Sequence, residues 1–174
     1  MNWNVLFVNK YTALSERAII ESHSELFRRE VIKYREDCMY TKLFNSFENA
    51  ENLGGKAWEH AVTLDFLNTT KIKDCSIHCF HYQQIFEYFF KHILETRSQF
   101  GSYSKSHKLN NLLEEVVGQT DFRTDKSKYY AHLVAITICA EEYRYNFDID
   151  CKVYFNVVLG CDELLIELIE FEKK

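Results

Sequence analysis

Between Cys75 and Leu94, CSIHCFHYQQIFEYFFKHIL, apolar residues recur at helical intervals. Cys79, Tyr82, Phe86, Phe89 and Ile93 share one stripe, and Ile85 and Phe90 widen it beyond the face that a partly exposed helix buries. The pattern predicts a central helix, opened by Asp74, whose side-chain oxygen can accept from the first free backbone N–H groups. One polar ribbon interrupts it. Gln83, Glu87 and Lys91 fall at steps of four with Gln84 beside them, so that Glu87 can pair with Lys91. The ribbon is either a solvated edge, worth roughly a few tenths of a kcal/mol, or a polar seam facing a partner subunit or ligand.

The same reading gives the rest of the chain. Trp3, Val5, Phe7 and Tyr11 alternate, as in a short strand or extended arm. From about Leu14 to Tyr40 the period becomes helical, with Ile19, Leu26 and Ile32 among many charges and a possible internal capping box at Ser22 and Glu25. Gly54-Gly55 is the clearest break, so 1–53 reads as a mainly helical N-terminal extension and 55–174 as one bundle.

Beyond the break, Trp58, Ala61, Val62, Asp65 and Phe66 mark a helix ending near Thr69 or Thr70, followed by the central helix. After a polar loop, Ser106-His107-Lys108-Leu109 opens a short helix with Leu109, Leu112, Leu113 and Val116 at core spacing, closed by Gly118. A fourth starts near Thr124 or Asp125, carries Tyr129, Leu133, Ile136, Ala140 and Tyr143 inward, and stops at Asn146. The last runs from Asp150 with Tyr154, Val157, Val158, Cys161, Leu164, Leu165 and Leu168 inward. Gly160 interrupts that inner row and predicts a close helix crossing. The fold class expected is all-α, an up-and-down bundle of about five helices.

Composition agrees with long helices: there is no proline, and five glycines among 174 residues. A formal charge of −5 argues against nonspecific binding of polyanions, while leaving room for a local basic patch. The six cysteines lack paired metal spacing and read as buried, reduced thiols. The N-terminus does not read as a signal peptide, and no segment approaches the ~20 apolar residues of a membrane span. A cytoplasmic location and no membrane association are therefore expected.

Candidate chemistry is sparse. Cys75, His78, Cys79 and His81 crowd one turn, but at most three could converge on zinc, so buried cysteines and partly exposed histidines are expected, with no metal site. Glu141, Glu142, Asp148 and Asp150 surround Arg144 and read as ion-pair or capping residues before magnesium ligands. Arg144 itself can grip phosphate in two places or tie to Glu141 or Glu87. His107 with Lys105 and Lys108 forms a small basic loop, and Tyr103, Tyr129 and Tyr130 offer stacking surfaces. No Gly-rich phosphate loop and no serine or cysteine nucleophile motif is present, and no cofactor is expected.

From Gly55 onward the succession resembles the HEPN superfamily of small helical bundles. Trp58-Glu59-His60-Ala61 through Asp65 is similar to its opening helix, and Gln83-Gln84-Ile85-Phe86-Glu87 through Lys91 to its Gln-rich second helix. His107-Lys108-Leu109 before Leu112-Leu113 resembles its His-x-Leu loop, and Tyr143-Arg144-Tyr145 a late Arg-Tyr. In many members the resemblance implies metal-independent RNA cleavage by an Arg and a His separated by four to six residues, shared across a homodimer. Here Tyr145 to Cys151 follow Arg144 without a His. Arg17 and His23 match the spacing, but lie in the extension and diverge by ~240° on a helix.

The expectation is therefore a non-catalytic HEPN-like module that binds and dimerises, the resemblance implying a prokaryotic toxin–antitoxin or defence system. The resemblance implies a homodimer with a nucleotidyltransferase-type partner, a nucleotide or RNA as ligand. Candidate binding residues are Arg144, Tyr145, Glu141, Gln84, Glu87, Lys91 and His107. The alternatives are a metal-independent ribonuclease with a rearranged set such as Arg144, His107 and Glu87, and a structural adaptor acting through 1–53.

Overall fold

The computed structural model describes residues 39–69, 75–143 and 151–174. The chain divides into two compact units, Met1–Asp37 and Cys38–Lys174, and every described element belongs to the second. The alternating arm and most of the charged helical stretch before Tyr40 lie outside the described residues, as does the Asp74 cap.

The described residues of the unit form six α-helices: α1 (Met39–Leu43), α2 (Leu53–Thr69), α3 (Cys75–Arg97), α4 (Leu109–Gln119), α5 (Lys126–Tyr143) and α6 (Cys151–Glu172). A 3-10 turn, Asn45–Phe47, joins the first two. There is no strand among the described residues, and the five helices α2–α6 match the expected all-α bundle.

The hub is α3, which packs against α2, α4, α5 and α6. Its apolar stripe explains why: Cys79, Tyr82, Ile85, Phe86, Phe89, Phe90 and Ile93 have no exposed surface. Burying each large side chain contributes about 1.5–3 kcal/mol. Residue pairs give the directions. His60 meets His81 while Lys56 lies over Tyr88, so α2 and α3 are antiparallel. Tyr82 bonds Asp162 and His92 bonds Glu172, so α6 runs parallel to α3. Against α6, Tyr129 bonds Glu167 and His132 faces Gly160, so α5 is antiparallel to it.

The connection 98–108 doubles back along α3, bringing Tyr103 over Lys91 and His107 to Glu87. In consequence α4 points the same way as α3. Ser106 was expected to open α4, but its hydroxyl accepts from Lys108 N–H in the loop at 3.1 Å. The helix starts at Leu109, whose N–H donates to Thr137 Oγ1 on α5 at 3.3 Å.

The glycine break also resolves differently from the sequence reading. Gly54 and Gly55 lie in the first turn of α2, and Asn52 caps it by accepting from Gly55 N–H at 3.1 Å. A Cβ at Gly55 would sit 1.8 Å from Ala50 O, so the turn can close only over glycine. Residues before this point pack into the bundle. Tyr40 and Phe44 are buried, and the Phe44 ring meets Phe89 edge-on at 4.9 Å. Asp65, expected on the amphipathic face of α2, is buried because its carboxylate accepts Tyr40 and Thr41 N–H at the start of α1. Val62 and Phe66, expected beside it, are exposed, while Ala61 is buried as expected and Ala57, Leu64 and Leu67 line the core side with it.

The predicted close crossing at Gly160 is present. A Cβ there would lie 2.3 Å from the His132 ring on α5. Gly160→Val is expected to destabilise the bundle by about 1–3 kcal/mol through overpacking. Thermal unfolding tests this, and a second change, His132→Ala, should recover part of the loss.

Candidate functional site

The polar ribbon is not a solvated edge. Gln83, Gln84, Glu87 and Lys91 are 3, 8, 4 and 7% exposed, because the returning loop covers them. Four such groups persist away from water only when they satisfy one another. Glu87 is their common acceptor. Its Oε1 accepts from Lys91 Nζ at 2.8 Å and His107 Nδ1 at 2.7 Å, and its Oε2 from Gln83 Nε2 at 2.9 Å and Gln84 Nε2 at 3.4 Å. Gln84 also donates to Gln83 Oε1, and Gln83 Nε2 reaches His107 O at 3.2 Å. Both the ring and the backbone of His107 are thus tied to α3.

Burial alone would push the Glu87 carboxyl up, but the hydrogen bonds from Lys91, Gln83 and His107 outweigh it and hold the group below the ordinary value of 4.5. Glu87 is therefore an ionised, acceptor-only partner. The His107 nitrogen facing it must carry a proton, which fixes the tautomer of the neutral ring and leaves Nε2 turned away from α3. That ring is 66% exposed. Beside it are the exposed cations Lys105 and Lys108, and the Tyr103 ring 5.6 Å from Lys91 Nζ.

The loop is held in shape by its own contacts. Ser104 donates its N–H to Glu115 on α4 at 3.1 Å, and its hydroxyl to the same carboxylate. Ser106 N–H bonds Ser104 Oγ at 3.3 Å. Together these make a fixed, cationic loop over a buried carboxylate, an arrangement that can present one imidazole and two ammonium groups to an anion.

Of the predicted residues, the structure brings Gln84, Glu87, Lys91 and His107 together and leaves Glu141 exposed on α5. Arg144 and Tyr145 lie outside the described residues. The turn Cys75–His81 does not converge: Cys79 is buried, its thiol facing Ile136 O at 3.8 Å, while His81 turns to His60 on α2. Among the described residues no group of three or more His, Cys, Asp or Glu side chains could hold a metal ion. Cys79, Cys139 and Cys161 are buried and free. No helix of the described residues is long and apolar enough to cross a membrane.

Sequence reasoning placed Gln83 on the ribbon without assigning it a site role, and it missed Ser104 and Glu115. The last two lie outside α3, eleven residues apart, and no local spacing signals their contact. No family model, curated protein or solved structure matches the chain.

Proposed function

We propose that the bundle is a HEPN-like binding module whose ligand carries phosphate, a nucleotide or RNA, and docks on the loop 98–108 where it crosses α3. The observation that carries this reading is the buried Glu87 carboxylate fixing an exposed His107 between two lysines. A phosphate at Nε2 needs a proton there. With a carboxylate on one nitrogen and phosphate on the other, the imidazolium is stabilised from both sides. The missing His after Arg144 supports binding without the Arg–His cleavage pair, and the resemblance supplies the homodimer and the nucleotidyltransferase-type partner as parts of the same proposal.

Calorimetric titration with nucleotides and short RNA tests it. His107→Ala is expected to weaken binding about tenfold, the worth of one charge-assisted hydrogen bond. Equal affinity for the two proteins would contradict the reading.

A second reading, a metal-independent ribonuclease, is favoured by the same bond. A carboxylate that orients an imidazole through one nitrogen prepares the other to accept a proton from a hydroxyl. RNA cleavage without added metal, abolished by His107→Ala, would select it over pure binding.

A further inference from the structure

Two histidines face one another across the α2–α3 contact. His60 Nδ1 lies 2.8 Å from His81 Nδ1. The His60 ring also stacks on Tyr88, with centroids 5.6 Å apart and planes 17° apart, and Lys56 Nζ lies 5.6 Å over the same tyrosine. Phe80 closes the group against both imidazoles. A nitrogen–nitrogen hydrogen bond needs one donor and one acceptor, so at least one of these two Nδ1 atoms must be bare.

We propose that the His60–His81 bond is an acid-sensitive latch between α2 and α3, closed while the pair holds a single proton between its Nδ1 atoms and opened when each Nδ1 carries its own. The charged groups that face the pair set the order of events. Glu87 favours a first proton on His60, which keeps the bond as imidazolium to imidazole. A second proton on His81 meets the His60 charge directly and His78 one turn away, and two N–H groups then point at each other. Lys56 adds a further positive charge above Tyr88 and opposes the doubly charged state.

The burial of both rings acts in the same direction. Desolvation lowers His60 and, with the neighbouring histidines, brings His81 down to about 4. In the unfolded chain each takes its proton near the ordinary value of 6.5. Between those two values the unfolded chain holds more protons than the folded one, so stability is full above 6.5 and declines as the pH falls towards 4.

Full-length protein followed by thermal unfolding from pH 7 to pH 5 tests the proposal. The wild-type midpoint is expected to fall by about 3 °C more than that of His81→Phe, which keeps a ring in the space but cannot titrate. Parallel profiles for the two proteins would overturn the latch. Should His81→Phe fail to fold, the wild-type imidazole signals followed by NMR against pH decide: His81 titrating near 4 supports the latch, and His81 titrating near the ordinary value of 6.5 refutes the idea.

Discussion

Glu87→Ala is expected to cost about 3–5 kcal/mol of stability, because it leaves the buried Lys91 cation without its carboxylate. The loss extends beyond one pair. Gln83 and Gln84 lose their shared acceptor, and the His107 ring is released from α3. Chemical denaturation of wild type and variant measures the difference directly. The sign of the electrostatic part can be checked separately. Because the folded-state carboxyl lies below its ordinary value, its contribution is present above 4.5 and is lost as the pH falls through the folded value. Replacing both partners, Glu87→Leu with Lys91→Met, should recover the part of the loss that comes from the stranded Lys91 charge, while Gln83 and Gln84 stay without their acceptor. A double variant as unstable as Glu87→Ala would mean that the pair is not the source of the cost.

Phe89→Ala should remove about 3–5 kcal/mol as well, for a different reason. Phe89 is fully buried, meets Phe44 edge-on at 4.9 Å and Phe47 at 5.6 Å, and stacks on His92 at 6.0 Å. Its removal opens a cavity between α3 and the segment before α2, where three aromatic partners cannot collapse onto a methyl group. The His92 ring would lose its stacking partner while its Nε2 stays bound to Glu172 at 3.3 Å. Thermal unfolding should show the loss, and Phe89→Leu a smaller one. An unchanged midpoint in Phe89→Ala would mean that residues 44–47 do not pack on α3.

These two positions show where the sequence was legible. The helical period of Cys79, Tyr82, Phe86, Phe89 and Ile93 named the hub directly, because every core contact of α3 repeats at intervals that its own sequence displays. The Glu87–Lys91 pair was equally readable, since its partners sit one turn apart on the same helix. Whether that ribbon faced water was not readable. Its burial is caused by the loop 98–108, whose path depends on Ser104 reaching Glu115 and His107 reaching Glu87, contacts that no periodicity encodes.

Two adjacent glycines ordinarily mark a linker, but here they let the first turn of α2 press against Ala50 O, and Phe44 and Tyr40 on the other side belong to the core. Asp65 likewise marks α2 in the sequence without displaying its partners. Its role as acceptor for α1 depends on residues 24 and 25 positions earlier. His60 and His81 carried no signal of their own, because a histidine pair is made only when two antiparallel helices bring them level.

The loop histidine held by a buried carboxylate is the claim on which the proposed ligand site rests. Two-bond proton–nitrogen correlation NMR of the His107 ring in the wild-type protein reads it most directly. The structure predicts a neutral ring protonated at Nδ1 and bare at Nε2, with the Nδ1 proton lost from that position in Glu87→Leu/Lys91→Met. A wild-type ring that carries its proton on Nε2, or that exchanges freely between both nitrogens, would contradict it.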